Sequence, residues 1–353
     1  MSYVTCAYFG RLGNNIFQYA MTRLVAQRYG LEAVLLSIPH WPASTGTSLC
    51  RQRLNYGLVT LSVGEKPVTA PLIKSMTVVL VGMYQQMNVY LPYKHQICQW
   101  LQLDRVVLHT AEARRAKATA LQADVVVHVR LGDTAFTGAC GYETPTLDNW
   151  RSAAKGVLAD AATVIVVTDS PEHAYAQSLA RDVFHNAKIV KNTMIEDWLT
   201  LFYAKRLILS SSTFSLWPSF LSPYVEEVVI IVNGINHPTN QSGTQWWVDE
   251  DRYRYVDTMN DDQIVTYQEL VRNYRVNVHP GLQLWDTMFG APKCDGGPDS
   301  LIPESRFTRT IWPILVTYCP LLFQVTVIVL MVVLLCLVFF RCSARESRQS
   351  VQS

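Results

Sequence analysis

The chain has 353 residues, enough for two domains of ordinary size and too many for one small core. Apolar residues make up 49% and charged residues 16%, which excludes a disordered or acidic-tail protein. With 30 Lys and Arg against 28 Asp and Glu, the formal charge of +2 also excludes a surface that wraps nucleic acid, which needs clustered excess cations.

Residues 3–9 are rich in β-branched and aromatic side chains and read as a strand. Gly10 to Asn15 then turn into a helix. Its apolar positions Ile16, Phe17, Ala20, Met21, Leu24 and Val25 share one face, and Gly30 closes it. Residues 33–37 read as a second strand, and 40–75, rich in Pro, Gly, Ser and Thr, as mostly loop. A strand at 77–82 and a helix at 110–121 complete a first α/β domain, 1–122. The next part is the most regular. The run VVVHVR at 125–130 reads as a strand buried on both faces of a parallel sheet. A helix at 147–159 and a strand at 164–168 follow, then a helix capped by Ser170 with Pro171 in its first turn. Strands at 187–190, 207–210 and 228–232 alternate with helices at 196–204 and 212–221. This alternation predicts a doubly wound parallel sheet in a second domain, 123–237. The pattern then fades into a polar, aromatic-rich segment, 238–310, read as packing against the domains and as a stem.

Residues 311–340 carry no charge. At about 1.5 Å per helical residue, the stretch 321–340 matches the roughly 30 Å hydrocarbon core of a bilayer, so a single transmembrane helix and a short basic tail, 341–353, are expected. Arg341, Arg345 and Arg348 beyond it and Arg306 and Arg309 before it leave the orientation open. The N-terminal residues lack a basic start and a long apolar run, so no signal peptide is expected. The 8 cysteines are scattered without a C-x-x-C pair, which points to neither zinc nor a disulfide scaffold. A sequon stands at Asn240-Gln241-Ser242.

In an open parallel sheet, ligands bind beyond the carboxyl ends of the strands. Three such ends are polar here: His128-Val129-Arg130-Leu131-Gly132-Asp133, Thr168-Asp169-Ser170 and Ser210-Ser211-Ser212-Thr213. Hydroxyls and free N–H groups at a helix start make an anion site, and an arginine adds a fork for phosphate. A diphosphate held between Arg130 and the turn at Ser211, Ser212 and Thr213 is one reading. A surface ion pair between Arg130 and Asp133 and plain helix capping account for the same residues without a ligand.

These residues carry a resemblance to the α-1,2-fucosyltransferases of glycosyltransferase family 11. The signature G-x-L-G-N-x-x-x-x-Y-A matches Gly10 to Ala20, H-V-R-R-G-D matches His128 to Asp133, and the third block resembles Ser211 to Trp217. Glu196-Asp197-Trp198-Leu199 and Thr168-Asp169 resemble the family's approaches to these blocks, and the likeness covers residues 3–230. Two departures stand out: Leu131 replaces the family's second arginine, and the membrane span is C-terminal where animal members have an N-terminal one.

The resemblance implies a GT-B-like pair of Rossmann-type domains moving fucose from GDP-fucose to a hydroxyl of a galactoside, with inversion and without a metal. Arg130 is then the residue that meets the leaving diphosphate, with Ser211, Ser212 and Thr213 in support and His128 and Asp169 on the nucleotide. Asp133 braces the Arg130 loop. Gly10, Gly13 and Asn14 shape the turn facing the cleft, where Asn14 is either a ligand or a helix cap. Partners implied are GDP-fucose, a glycan acceptor and, through 311–340, the lipid bilayer, with a Golgi location. The Leu131 departure keeps two alternatives open: a membrane-anchored nucleotide-sugar or glycan-binding protein without catalysis, and a transferase using another GDP-sugar. The acidic triplet Asp249-Glu250-Asp251 reads as a solvated charge cluster rather than a metal site, and Trp246-Trp247 as packing rather than a sugar platform. His95, His109 and His237 have no metal-ligand spacing.

Overall fold

The computed structural model describes residues 3–46, 58–62, 77–132, 143–158, 163–185, 187–239 and 245–274. Asp133, the sequon and the apolar segment 311–340 lie outside the described residues. No helix among the described residues is long and apolar enough to cross a membrane.

The first of two sheets is parallel throughout, in the order β2-β1-β4-β3. It comprises β1 (Tyr3–Cys6), β2 (Glu32–Ala33), β3 (Leu58–Ser62) and β4 (Thr77–Val81). Strand β3 adds an element within 40–75, read as mostly loop: LVTLS is a short β-branched run that pairs with β4 along its whole length, concealed by the turn-forming residues around it. Helix α1 (Leu12–Tyr29) joins β1 to β2 and ends, as expected, at Gly30 in the left-handed region, φ 61°. Its buried set is wider than one apolar face and includes Asn15, Gln18 and Thr22. The reason is its position: it packs on β1 and β2 and also on α7 (Thr213–Leu221) of the second sheet. Two further helices, α2 (Lys94–Trp100) and α3 (Ala111–Ala120), lead to that sheet.

The second sheet runs β11-β10-β9-β8-β5-β6-β7. Its strands are β5 (Val125–Val129), β6 (Val164–Thr168), β7 (Lys188–Val190), β8 (Arg206–Leu209), β9 (Glu227–Val232), β10 (Tyr253–Asp257) and β11 (Gln263–Val265). All pairings are parallel except that of β11. Counted from β5, the parallel strands follow the 3-2-1-4-5-6 order of a doubly wound fold. Val126, Ile165, Leu207 and Val228 share a core with α3, α6 (Met194–Tyr203) and α7. Val125, Val127, Val166 and Ile208 face the other way, onto α4 (Leu147–Val157) and α5 (Ala174–Ser178). Burial at every position of β5, at roughly 1.5–3 kcal/mol for each large apolar side chain, makes it the fixed reference from which its carboxyl end projects.

Two further readings are corrected. Residues 253–274 supply β10, β11 and α8 (Tyr267–Tyr274), where the sequence pattern faded. Strand β10 is tyrosine-rich rather than aliphatic, and its buried hydroxyls are satisfied: Tyr253 by Ser219, and Tyr255 by the Val248 backbone. Helix α5 starts at Ala174 with His173 as its cap, Nδ1 accepting from the Tyr175 N–H at 3.2 Å. Ser170 is held at the end of β6 instead, its N–H on Thr168 Oγ1 at 3.3 Å.

Candidate functional site

The crevice of such a sheet opens between its first and fourth strands, here β5 and β8. The structure brings the two distant sequence blocks together at that point. The Ser210 N–H donates to the His128 carbonyl at 3.1 Å, and the Arg130 N–H donates to Ser210 Oγ at 3.2 Å. Arg130 therefore leaves β5 beside the segment that opens α7.

His128 is 6% exposed, and its ring lies 5.5 Å from that of Phe214 in the first turn of α7. Its Nδ1 has no hydrogen-bond partner among the described residues. Burial, helped by the Arg130 charge and opposed by Asp169, lowers its pKa to about 4, so the imidazole is neutral near pH 7. The hydroxyls expected to bind a ligand are engaged within the chain. Ser211 Oγ lies 3.0 Å from Asn233 Oδ1 and 3.2 Å from the Ile231 carbonyl. Ser212 Oγ caps α7 by accepting from the Phe214 N–H at 3.3 Å. Thr213 donates to Asn14 Oδ1 at 3.0 Å. What this segment offers a ligand is the N-terminal end of a nine-residue helix, whose first-turn N–H groups lack intrahelical acceptors.

Asp169, at the end of β6, accepts on Oδ1 from the N–H groups of Gly132 (3.0 Å) and Leu131 (3.3 Å). It braces the segment after Arg130, the part the sequence reading gave to Asp133. A Cβ at Gly132 would run into the Asp169 carboxylate, which would have to shift to make room. Burial pushes the Asp169 carboxyl up, but those two N–H groups, with His128 and Arg11, outweigh it and hold the pKa below the usual value. Leu131 is fully buried in the core facing α4 and α5, so this position serves packing and offers only its N–H to the rim. Arg11, which the sequence reading passed over, reaches across from the start of α1 to within 3.7 Å of Asp169 Oδ2. With side chains 58% and 39% exposed, that pair contributes about 0–1 kcal/mol to stability.

The turn at Gly10 to Asn14 faces this rim from the first sheet. Gln18 accepts from the Phe9 N–H at 3.2 Å and donates to the Gly82 carbonyl at 3.3 Å, tying the turn to the end of β4. Gly10 has φ 80°, open to glycine. Gly13 packs directly on α7, and its carbonyl accepts from Trp217 Nε1 at 3.0 Å. Asn14 is not the helix cap; Arg11 holds that position without a side-chain bond. Asn14 Oδ1 instead accepts from Thr213 and, at 2.8 Å, from Gln85 Nε2. Gln85 and Asn233 were invisible as site residues in the sequence. Asn233 does follow directly on β9, where a polar strand end is itself a signal, and its amide donates to the Glu143 carbonyl at 2.9 Å.

Other singled-out residues lie elsewhere. Glu250 pairs with Lys94 (3.0 Å) and Arg252 (2.8 Å), and Arg252 donates to three backbone carbonyls, so the acidic triplet is a bracket between segments. Trp246 and Trp247 are buried, their indole N–H groups on Gln85 Oε1 and the Asn236 carbonyl. His237 is buried against Asp257 and Tyr274. A cavity of about 300 Å³ lined by Arg206, Glu227 and Arg254 opens at the opposite, amino-terminal edge of the sheet. Among the described residues, no group of three or more His, Cys, Asp or Glu side chains is arranged to hold a metal ion.

No family model matches the chain, and no curated protein matches it. Fucosyltransferases are among its structural neighbours. A mutant of Arabidopsis thaliana FUT1 in complex with GDP is 13% identical, with a TM-score of 0.39 over 65% of this chain and 69% of that one. The fucosyltransferase NodZ from Bradyrhizobium is 13% identical, with a TM-score of 0.40 over 63% and 93%. POFUT1 in complex with GDP-fucose is 11% identical, with a TM-score of 0.36 over 65% and 97%.

Proposed function

We propose that this chain is an inverting glycosyltransferase that takes fucose from GDP-fucose and places it on a hydroxyl of a galactoside. The observation that carries the reading is the meeting of Arg130, a neutral buried His128 and the N-terminus of α7 at the switch point of the sheet. A guanidinium beside a helix N-terminus is a site for a diphosphate. Among the described residues at this rim, Arg11 and Arg130 supply positive charge and Asp169 negative.

The step follows from that placement. As the bond from the sugar C1 to the phosphate oxygen breaks, negative charge grows on the β-phosphate and positive charge on the ring. Arg130 and the α7 amides are pre-arranged for the phosphate charge, a kind of stabilisation that contributes several kcal/mol to a barrier. The acceptor oxygen bonds C1 from the opposite face as the bond from C1 to the β-phosphate oxygen breaks, its proton passes to solvent water, and GDP leaves with the bonding pair. His128, neutral, donates or accepts a hydrogen bond with the nucleotide. The fucosyl donor and the α-1,2 linkage rest on the resemblance of the three sequence blocks.

The test is thermal unfolding of the full chain with GDP, GDP-fucose, GDP-mannose and UDP, followed by assay of GDP release with and without lactose. A native-state ligand at a hundredfold excess over Kd stabilises by about 2.7 kcal/mol. GDP and GDP-fucose should protect, and lactose should accelerate GDP release. Protection without turnover would leave a binding protein, protection by GDP-mannose over GDP-fucose another donor, and no protection by any nucleotide would remove the proposal. Segment 311–340 is proposed as a membrane anchor; extraction of the chain from membranes by alkaline carbonate would overturn that.

A further inference from the structure

We infer that Gln85 and Trp246 are positioning residues that fix the side-chain amide of Asn14, so that its N–H bonds face the crevice and meet an oxygen at the β end of the donor's diphosphate. This rests on the nucleotide-sugar reading above.

The argument starts at Trp246, whose indole N–H is a donor and never an acceptor. It lies 3.2 Å from Gln85 Oε1, which settles the direction of the Gln85 amide. Gln85 Nε2 must then point the other way, and it stands 2.8 Å from Asn14 Oδ1. Thr213 donates to the same oxygen at 3.0 Å. Both lone pairs of Asn14 Oδ1 are therefore occupied, and the planar amide turns Nδ2 away from Gln85. That nitrogen lies against Gly10, where any Cβ would collide with it, and it has no hydrogen-bond partner among the described residues. A doubly accepting amide oxygen polarises its own N–H bonds and strengthens them as donors. The amide stands beside the start of α7, on the turn that carries Arg11 to Asp169. Gln85 is 6% exposed and Trp246 1%, so both act through Asn14 and not on a ligand. Gln85 is itself anchored, its carbonyl accepting from the Gln245 N–H at 2.9 Å.

The experiment is titration calorimetry of GDP and GMP against the native chain and Gln85→Glu, from about pH 5 to about pH 8, the range in which a buried carboxyl titrates. The glutamate is almost the same shape and still accepts from Trp246, but as a carboxylate it has nothing to donate. Asn14 then turns its NH₂ toward it and presents its oxygen to the diphosphate. GDP affinity should fall about tenfold at the upper pH, the worth of a hydrogen bond to a charged group, while GMP affinity changes less than twofold. The GDP deficit should shrink as pH falls, because the protonated carboxyl regains a donor toward Asn14, a recovery that a purely structural defect would not show. Gln85→Leu, lacking both bonds, should show the loss without the recovery. Unchanged GDP affinity, an equal loss for GMP or a deficit independent of pH would each overturn the relay while leaving the donor site standing. A native chain that binds neither nucleotide would overturn the donor site and the relay with it. Should Gln85→Glu not fold, Trp246→Phe decides: a selective loss of about threefold for GDP supports the relay, and none refutes it.

Discussion

The contact between Gly13 and the first turn of α7 has no room for a methyl group, and Gly13→Ala should show it in both stability and activity. A Cβ there would lie 2.5 Å from the Thr213 carbonyl carbon and oxygen and 2.7 Å from the Phe214 nitrogen. Carbon contacts settle at about 3.5–4.0 Å, and backbone atoms have no rotamer through which to yield, so α1 must withdraw by roughly 1 Å. Overpacking of this kind costs about 1–3 kcal/mol. The Trp217 bond to the Gly13 carbonyl, 3.0 Å in the native chain, would stretch and lose about 1 kcal/mol more. The same withdrawal breaks the 3.0 Å bond between Thr213 and Asn14. A displacement of about 1 Å at a reacting centre lowers turnover about a hundredfold. Gly30→Ala is the control. Its φ of 61° makes alanine costly by about 1–2 kcal/mol, but nothing lies within 4 Å of its Cβ, and it is at the far end of α1. Urea unfolding and GDP-fucose turnover should separate the two: both variants lose stability, and only Gly13→Ala loses turnover. Equal turnover in both would refute the tight docking of α1 on α7.

On the proposed reading, Arg130→Ala should lower turnover by about a thousandfold with little change in the unfolding midpoint, because the Arg130 bond to Ser210 is made by its backbone N–H and survives the substitution. Retained turnover would remove its central role. Arg11→Ala should weaken GDP about tenfold and flatten the salt dependence of binding, measured by titration at low and high ionic strength; an unchanged affinity would confine Arg11 to its ion pair with Asp169. Burial lowers His128 from 6.5 to about 4 and raises Asp197 from 3.8 to about 6, so between about pH 4 and pH 6 the native state binds one proton fewer at the first and one more at the second. Asp197→Asn should therefore lose about 3 kcal/mol relative to the native chain's own profile as pH falls through that window, and His128→Gln should gain about as much; urea unfolding of the two variants giving parallel pH profiles would refute both assignments.

The second sheet was legible because its central strands are aliphatic runs separated by helices of ordinary length, and each run carries its polar residues at the carboxyl end. The same pattern places His128, Arg130, Asp169 and the Ser210 to Thr213 segment at or just beyond strand ends. Strand β10 escaped because Tyr253 and Tyr255 are buried with their hydroxyls satisfied, a solution that reads in sequence as a polar aromatic segment. Strand β3 escaped because its neighbours in sequence are turn formers. Gln85 escaped for a different reason. Its part depends on three residues, Asn14, Thr213 and Trp246, that lie 71, 128 and 161 positions away, and no local spacing encodes such a meeting.

The engagement of all three hydroxyls changes what the Ser211 to Thr213 block contributes. Had they been free, the site would be a set of side-chain contacts, each removable by mutation to alanine. With Ser212 as cap, Ser211 on Asn233 and Thr213 on Asn14, any effect they have on the proposed diphosphate passes through the position and exposure of the α7 amides. The electrostatic part of the site is then a property of the backbone, fixed by where β8 ends and by which neighbours hold the first turn of α7. Arg130 is different in kind. Its backbone N–H belongs to this scaffold through Ser210, while on the proposed reading its guanidinium is the side-chain charge offered to the leaving group. A site built this way tolerates an apolar residue at position 131: the second cation beside the rim comes from Arg11 on the facing turn, and the backbone N–H of Leu131 still holds Asp169.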